Sequence, residues 1–271
     1  MIPKIIHYCW FGGKPFPPLA EKCMESWHRH CLGWQIMRWD ETNFDPHINA
    51  YAQEAYDAQK WAFVSDVARL WALKQYGGFY LDTDVELIKP LDCFLEENFL
   101  IGLEFHRIVA TSLIGAAPEN KIICELLSKY DEKHFLLPNG QTDRTANVKL
   151  FTSYFREKCG RKIRNVLYKG ADFSVYPSDY FSPKDSRTGF VFLTKHSSAI
   201  HHFSTSWYEA EELAFRENQW RRMAFLRRLR PLLGANRVVW IGKRLLLCIQ
   251  LRQIYGAFWL VHALRILRSQ K

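Results

Sequence analysis

From residue 2 to about 203, short β-rich apolar runs alternate with longer stretches of helical period. Ile5–Cys9, Trp34–Trp39, Gly78–Asp82, Phe99–Leu103, Ser112–Ala116 and Ser198–Phe203 read as strands. Helical patterning covers residues 18–30, 50–57, 61–76, 119–132 and 145–158, with Gly77-Gly78 supplying the stop for the third helix. Alternation of this kind argues for an α/β sheet domain, and neither an internal repeat nor a low-complexity linker interrupts it. Beyond Trp207 the pattern turns wholly helical, first over Glu209–Phe225 and then, past Pro231 and Gly234, over Val238–Leu267. The expected organisation is an α/β domain over residues 1–215 followed by a basic, amphipathic helical tail over residues 216–271.

Charge sharpens that division. Residues 216–271 hold 13 Lys or Arg against one acid, Glu217, a surplus of +12 in a chain whose total is +9, so residues 1–215 carry −3. The tail also carries Trp220, Phe225, Trp240, Phe258, Trp259 and many Leu, which a purely nucleic-acid-binding tail would not need. Its longest stretch without a formal charge runs from Gln253 to Leu264, short of the roughly 18–20 apolar residues of a spanning helix. It is expected to lie on a membrane surface without crossing it. With 271 residues, 48% of them hydrophobic, the chain can fill one sizeable core plus an appendage. Its seven Cys form no C-x-x-C pair and read as reduced, core-filling thiols. The first strand begins almost at Met1 with no leader pattern before it, so the reading is a chain that begins inside the cell.

Candidate chemistry concentrates where Gly77-Gly78-Phe79-Tyr80-Leu81 runs directly into Asp82-Thr83-Asp84-Val85-Glu86. In extended chain residues 82, 84 and 86 share a face, and three like charges there repel unless water or a hard cation neutralises them. A D-x-D alone is equally a solvated strand edge. The preceding helix adds weight, because between Trp61 and Leu73 its only charges are Asp66 and Arg69 among Ala62, Phe63, Val64, Val67, Leu70 and Trp71. Such an i, i+3 pair on an apolar helix either pairs internally or grips a polar ligand. The short turn to the acidic strand end places both features in the crevice where open α/β sheets bind ligands.

Four segments occur in a telling order: Ile2-Pro3-Lys4-Ile5-Ile6-His7-Tyr8-Cys9-Trp10-Phe11-Gly12-Gly13, Phe63-Val64-Ser65-Asp66-Val67-Ala68-Arg69-Leu70, Tyr76-Gly77-Gly78-Phe79-Tyr80-Leu81-Asp82-Thr83-Asp84 and Ile200-His201-His202-Phe203-Ser204-Thr205-Ser206-Trp207. In this order the chain resembles glycosyltransferase family 32, which includes bacterial capsule and lipopolysaccharide sugar transferases. The resemblance implies a GT-A fold, a Mn²⁺ or Mg²⁺ ion, a nucleotide-diphosphate sugar donor linked to UDP or GDP, and retention at the anomeric carbon. Trp10 matches the aromatic that stacks on the nucleotide base. Asp66 and Arg69 match the pair on the ribose and the donor sugar or phosphate; Asp82 matches a residue holding ribose, sugar or metal-bound water, and Asp84 the direct metal ligand. The resemblance thus puts Asp82, Asp84 and Arg69 at the reacting centre. His202 is the expected third metal ligand, with His201 on the opposite face of its strand, and Ser204, Ser206 and Trp207 close over the diphosphate. An imidazole beside carboxylates tilts the preference toward Mn²⁺. No separate base is assigned, and the stretch Ile108–Ala116 lacks the Asn that relatives often place against the sugar.

The implied acceptor is a glycan or lipid-linked oligosaccharide, and the tail would hold the enzyme to the inner face of the cytoplasmic membrane. Two other classes share part of this pattern. A haloacid-dehalogenase-like phosphatase also ends an apolar strand in D-x-D, but near the start of its domain and with a later G-D-x-x-x-D that this chain lacks. A non-enzymatic basic binding module leaves Asp66, Asp82, Asp84 and His202 without a role.

Overall fold

The computed structural model describes residues 1–104, 108–145, 147–160, 163–204, 214, 217–218 and 220–221. The chain runs β1 (Ile5–Cys9), α1 (Pro18–His30), β2 (Gln35–Trp39), α2 (Ala50–Asp57), α3 (Trp61–Tyr76), β3 (Gly78–Leu81), β4 (Val85–Leu87), β5 (Phe99–Glu104), β6 (Ile108–Ala116), α4 (Lys121–Ser128), α5 (Asn147–Cys159), β7 (Tyr168–Lys169), β8 (Ser174–Tyr176), α6 (Ser178–Phe181) and β9 (Ala199–His201). Each strand and helix expected from the pattern up to residue 203 has a counterpart here, and the helices expected over Glu209–Phe225 and Val238–Leu267 lie almost wholly outside the described residues. The additions are β4, β7, β8 and α6, all four residues or shorter, which leaves no room for a periodicity to declare itself.

Two compact units divide the chain, one of Met1–Lys184 with Leu193–Trp207 and one of Asp185–Phe192 with Tyr208–Lys271. All the elements named belong to the first. In the second, the Asp185 carboxylate accepts the backbone N–H groups of Arg187 and Thr188, and Trp220 Nε1 donates to the Ser186 carbonyl at 3.0 Å. Apart from Glu217, Asn218, Trp220 and Arg221, the basic tail expected over residues 216–271 lies outside the described residues.

Seven strands make the main sheet in the order β2-β1-β3-β6-β5-β8-β7, and β4 pairs with β9 in a second, two-stranded sheet. β1 is parallel to β2 and β3, whereas β6 is antiparallel to both β3 and β5. It follows that β1, β3 and β5 all end on the same edge of the sheet, with β6 inserted between two of them. This mixed α/β arrangement agrees with the GT-A class implied by the sequence.

Strand alternation supplies both faces of the core. On β3, Phe79 and Leu81 pack with Ile2, Ile6 and Trp27, while Tyr80 between them packs with Val64, Leu70 and Leu73 of α3. The turn from α3 into β3 needs its two glycines. Gly77 has φ +62°, and a Cβ there would lie 2.6 Å from the Pro118 nitrogen; Gly78 has φ +97°, and its Cβ would lie 2.7 Å from the Ile5 carbonyl oxygen. That tight reversal returns the chain along α3, so the carboxyl end of β3 meets the polar face of the helix.

Candidate functional site

β3 delivers Asp82 to the edge where β1, β3 and β5 end. The backbone N–H of Asp82 still donates across to Ser112 of β6 at 2.8 Å, and then the chain turns, closed by Val85 N–H to the Asp82 carbonyl at 2.9 Å. Because residues 82–85 form a turn and not an extended run, Glu86 does not share a face with Asp82 and Asp84 as expected. Its carboxylate instead takes Lys22 Nζ at 3.0 Å and His202 Nε2 at 2.8 Å.

Asp84 is buried and tied down from several directions. Ser204 N–H donates to its Oδ2 at 2.6 Å, His202 N–H donates to its backbone carbonyl at 2.9 Å, and His201 Nε2 stands 3.5 Å from its Oδ1. Burial alone would raise the Asp84 pKa, yet His201 and Ser204 hold the carboxyl well below the usual carboxylate range. In the opposite sense, burial would lower the His201 pKa, but the Asp84, Glu104 and Asp82 carboxylates around it raise it above the ordinary value. Asp82, Asp84 and His201 each offer one ligand atom, all within 4.8 Å of one another.

The two histidines face the opposite way from the expectation. β9 ends at His201, whose side chain turns to the acidic cluster, and His202 leaves the strand to pair with Glu86. Phe203, at φ +57°, bends the backbone there, and Lys184 Nζ donates to the His202 carbonyl at 2.6 Å. Burial lowers the His202 pKa against the pull of Glu86. An apparent H-H-F register could not specify which imidazole faces the carboxylates, because the strand stops between them.

Asp66 and Arg69 settle the other open choice by pairing internally. Arg69 Nη2 meets Asp66 Oδ1 at 3.1 Å, Nη1 donates to the Thr111 carbonyl at 2.9 Å and lies 3.4 Å from Asp82 Oδ1, and Nε donates to the Ser65 carbonyl at 3.1 Å. Its guanidinium carbon sits 4.5 Å over the Tyr80 ring, whose hydroxyl donates to the same Asp82 oxygen at 2.9 Å. So the donors of Arg69, which the resemblance put on the donor sugar or phosphate, are engaged by the Ser65 and Thr111 carbonyls and by the Asp66 and Asp82 carboxylates. Burial pushes Asp66 up to about 6, against the pull of Arg69.

At the end of β1, Trp10 is half-buried. Its Nε1 donates to the Lys14 carbonyl at 2.6 Å and its ring packs against Phe16 at 4.7 Å between centroids. Ser206 and Trp207 lie outside the described residues. Three further residues belong to the site and were not singled out from sequence. Tyr80 bears on Asp82, Asn147 donates its backbone N–H to Asp66 at 3.4 Å, and Glu104 ends β5 with an oxygen 3.8 Å from His201 Nδ1. Glu104 had a legible signal, since Phe99-Leu100-Ile101-Gly102-Leu103-Glu104 is, like β3, an apolar run ending in a carboxylate.

Comparison with known proteins adds the following. Residues 17–100 match the model of the glycosyltransferase sugar-binding region containing a DXD motif. The chain is 28% identical over 200 residues to an uncharacterised glycosyltransferase of Acanthamoeba polyphaga mimivirus, covering 68% of this chain and 74% of the viral one. It is 26% identical over 149 residues to inositol phosphoceramide mannosyltransferase 1 of Schizosaccharomyces pombe, covering 49% of this chain and 45% of the yeast protein. Among solved structures, it is similar to a glycosyltransferase involved in the glycosylation of the major capsid of PBCV-1, at 14% identity and a TM-score of 0.47 over 79% of this chain and 100% of that one.

Proposed function

We propose that the chain is a DXD-containing glycosyltransferase of the family 32 type, and that it transfers a sugar from a UDP- or GDP-linked donor at a divalent-cation site formed by Asp82, Asp84 and His201. The observation that carries the reading is the convergence of those three side chains, within 4.8 Å, on the edge where β1, β3 and β5 end. The donor set fits such an ion: two carboxylates and an imidazole, one of the carboxylates already fixed by a backbone N–H. The nitrogen ligand favours Mn²⁺ over Mg²⁺. A cation bound there supplies positive charge against the diphosphate as the sugar–phosphate bond breaks.

The chain's own residues supply the rest. Arg69 and Tyr80 both engage Asp82 Oδ1, which would leave its second oxygen for the ion or the ribose. Trp10 offers an indole face to the base beside the end of β1. Asp66, gripped by Arg69 and the Asn147 backbone, would accept a hydroxyl of the ribose or donor sugar. Retention of anomeric configuration completes the proposal on the strength of the family resemblance.

The acceptor we propose is a glycan or lipid-linked oligosaccharide at the inner face of the cytoplasmic membrane. The basic tail, +12 over residues 216–271, suits attachment to anionic headgroups, and the similar yeast protein is named for a lipid acceptor. Among the described residues no helix is long and apolar enough to cross a membrane. A phosphatase is not favoured, because the acidic motif lies inside the matched glycosyltransferase region.

The test is a thermal-shift screen of UDP- and GDP-sugars with and without Mn²⁺, on wild type and Asp84→Asn. A stabilisation that needs both Mn²⁺ and one nucleotide class, and vanishes in Asp84→Asn, supports the site. Equal shifts in the variant would remove Asp84 from it.

A further inference from the structure

His201 stands between two carboxylates. Its Nε2 faces Asp84 Oδ1 at 3.5 Å, and its Nδ1 faces Glu104 Oε1 at 3.8 Å. All three side chains are mostly buried, at 13%, 10% and 16% exposure for His201, Asp84 and Glu104. His201 Nδ1 is buried with no hydrogen-bond partner. A buried polar nitrogen in that condition is destabilising and calls for an explanation.

Imidazole chemistry gives one. A neutral histidine has a single N–H, so one ring nitrogen can ligate a cation only if the proton sits on the other. Which nitrogen carries it is decided by the acceptor that the N–H finds, and for metal-bound histidines that acceptor is commonly a carboxylate or a carbonyl. At 3.8 Å the Glu104 oxygen is about 1 Å beyond ordinary hydrogen-bond length. The Phe203 ring, 4.0 Å from the His201 ring between centroids, packs against the imidazole and limits its tilt.

We propose that Glu104 is a positioning residue for the cation site: its carboxylate accepts the Nδ1–H of His201 and so turns the Nε2 lone pair toward Asp82 and Asp84. This rests on the cation reading given under the proposed function. β5 reaches the site through this contact, and the strand order that brings the end of β5 to the same sheet edge as that of β3 is what makes it available.

A double-variant cycle tests it, read as Mn²⁺ affinity by electron paramagnetic resonance of the free ion, with saturating UDP or GDP. The proteins are wild type, Asp84→Asn, Glu104→Gln, His201→Gln and the double variant Glu104→Gln/His201→Gln. Expected are binding by wild type, its loss in Asp84→Asn, a 10–100-fold weakening in Glu104→Gln, and no further weakening when Glu104→Gln is added to His201→Gln. Affinity in Glu104→Gln within twofold of wild type, with Asp84→Asn still deficient, overturns the proposal and leaves the cation site standing. Losses that multiply in the double variant also overturn it, since Glu104 would then act on the ion directly. No Mn²⁺ binding by wild type removes the cation reading itself, and this proposal with it. If Glu104→Gln folds poorly, nitrogen-15 histidine spectra of wild type with Mg²⁺ decide instead. A downfield Nδ1–H on His201 is expected, and a deprotonated Nδ1 overturns the proposal.

Discussion

Replacing Arg69 by Met tests whether the buried pair on α3 is a structural clamp or a hand held out to the ligand. Arg69 is 5% exposed and Asp66 7%. The change removes the Asp66 contact at 3.1 Å, the Thr111 bond at 2.9 Å and the Ser65 bond at 3.1 Å, and leaves the Asp66 carboxylate in the core without its counter-charge. Breaking one side of such a pair costs about 3–5 kcal/mol. For a domain of this size that corresponds to a melting temperature lower by roughly 6–20 °C. Asp66 can relieve part of the loss by taking up a proton, which its pKa of about 6 already brings within reach. The double variant Asp66→Asn/Arg69→Met, which removes both charges, is therefore expected to be more stable than Arg69→Met alone, by about 1–3 kcal/mol. Sugar transfer should stay absent in both, because Asp82 has lost its guanidinium neighbour and Asp66 its acceptor oxygens. Urea unfolding followed by tryptophan fluorescence gives the stabilities, and donor hydrolysis gives the activity. Arg69→Met within 1 kcal/mol of wild type, or recovery of activity together with stability in the double variant, would refute the clamp.

Three further outcomes are expected. His7 is fully buried, its Nε2 donating to the Gly77 carbonyl and its Nδ1 accepting from Trp39 Nε1, so the folded state holds it neutral and burial lowers its pKa to about 4. Because the unfolded chain takes up a proton near pH 6.5 and the folded one does not, stability is intact above pH 6.5 and falls by about 3 kcal/mol as pH drops toward 4. Urea midpoints should show this slope in wild type and less of it in His7→Gln. His201→Gln should weaken Mn²⁺ binding at least tenfold, whereas His202→Gln should leave it within about threefold and instead loosen β9 through Glu86; calorimetric titration separates the two. Trp10→Ala should weaken UDP or GDP binding by roughly 1–3 kcal/mol, the worth of stacking a base on an aromatic ring, with little change in melting temperature since Trp10 is only half-buried; unchanged affinity in equilibrium dialysis would reduce it to a packing residue.

How much of this was legible depends on the range of the interaction that fixes each feature. Elements with a full period, such as α1 and α3, stand in the sequence to the residue, because side-chain alternation and the Gly77-Gly78 stop are local facts. The three-residue strand β4 does not, since it is held mainly by β9, through pairs such as Val85 with His201 across more than a hundred residues, whereas β9 falls inside the strand read over Ser198–Phe203. The same distinction runs through the site. That Asp66, Arg69, Asp82 and Asp84 lie close together was legible because one helix, one turn and one strand present them. The orientation of the two imidazoles was not legible because it is set by long-range partners: His202 is drawn off by Glu86 and Lys184, and His201 is held by Asp84 and faces Glu104.

That dependence also explains why the site is built where it is. A cluster of Asp82, Asp84 and Glu104 on one edge is repulsive in isolation. The fold offsets the repulsion with groups drawn from separate elements: Arg69 from α3, the hydroxyl of Tyr80, the backbone N–H of Ser204 and the ring of His201. Each of these touches at least one carboxylate and none is adjacent in sequence to another. The arrangement therefore exists only once the main sheet and the β4–β9 pair have both formed, which ties the competence of the cation site to completion of the fold. Unfolding in Mn²⁺ with a nucleotide should accordingly be one cooperative step shifted to higher denaturant. A partly unfolded state that keeps the nucleotide but loses β9 would contradict this coupling.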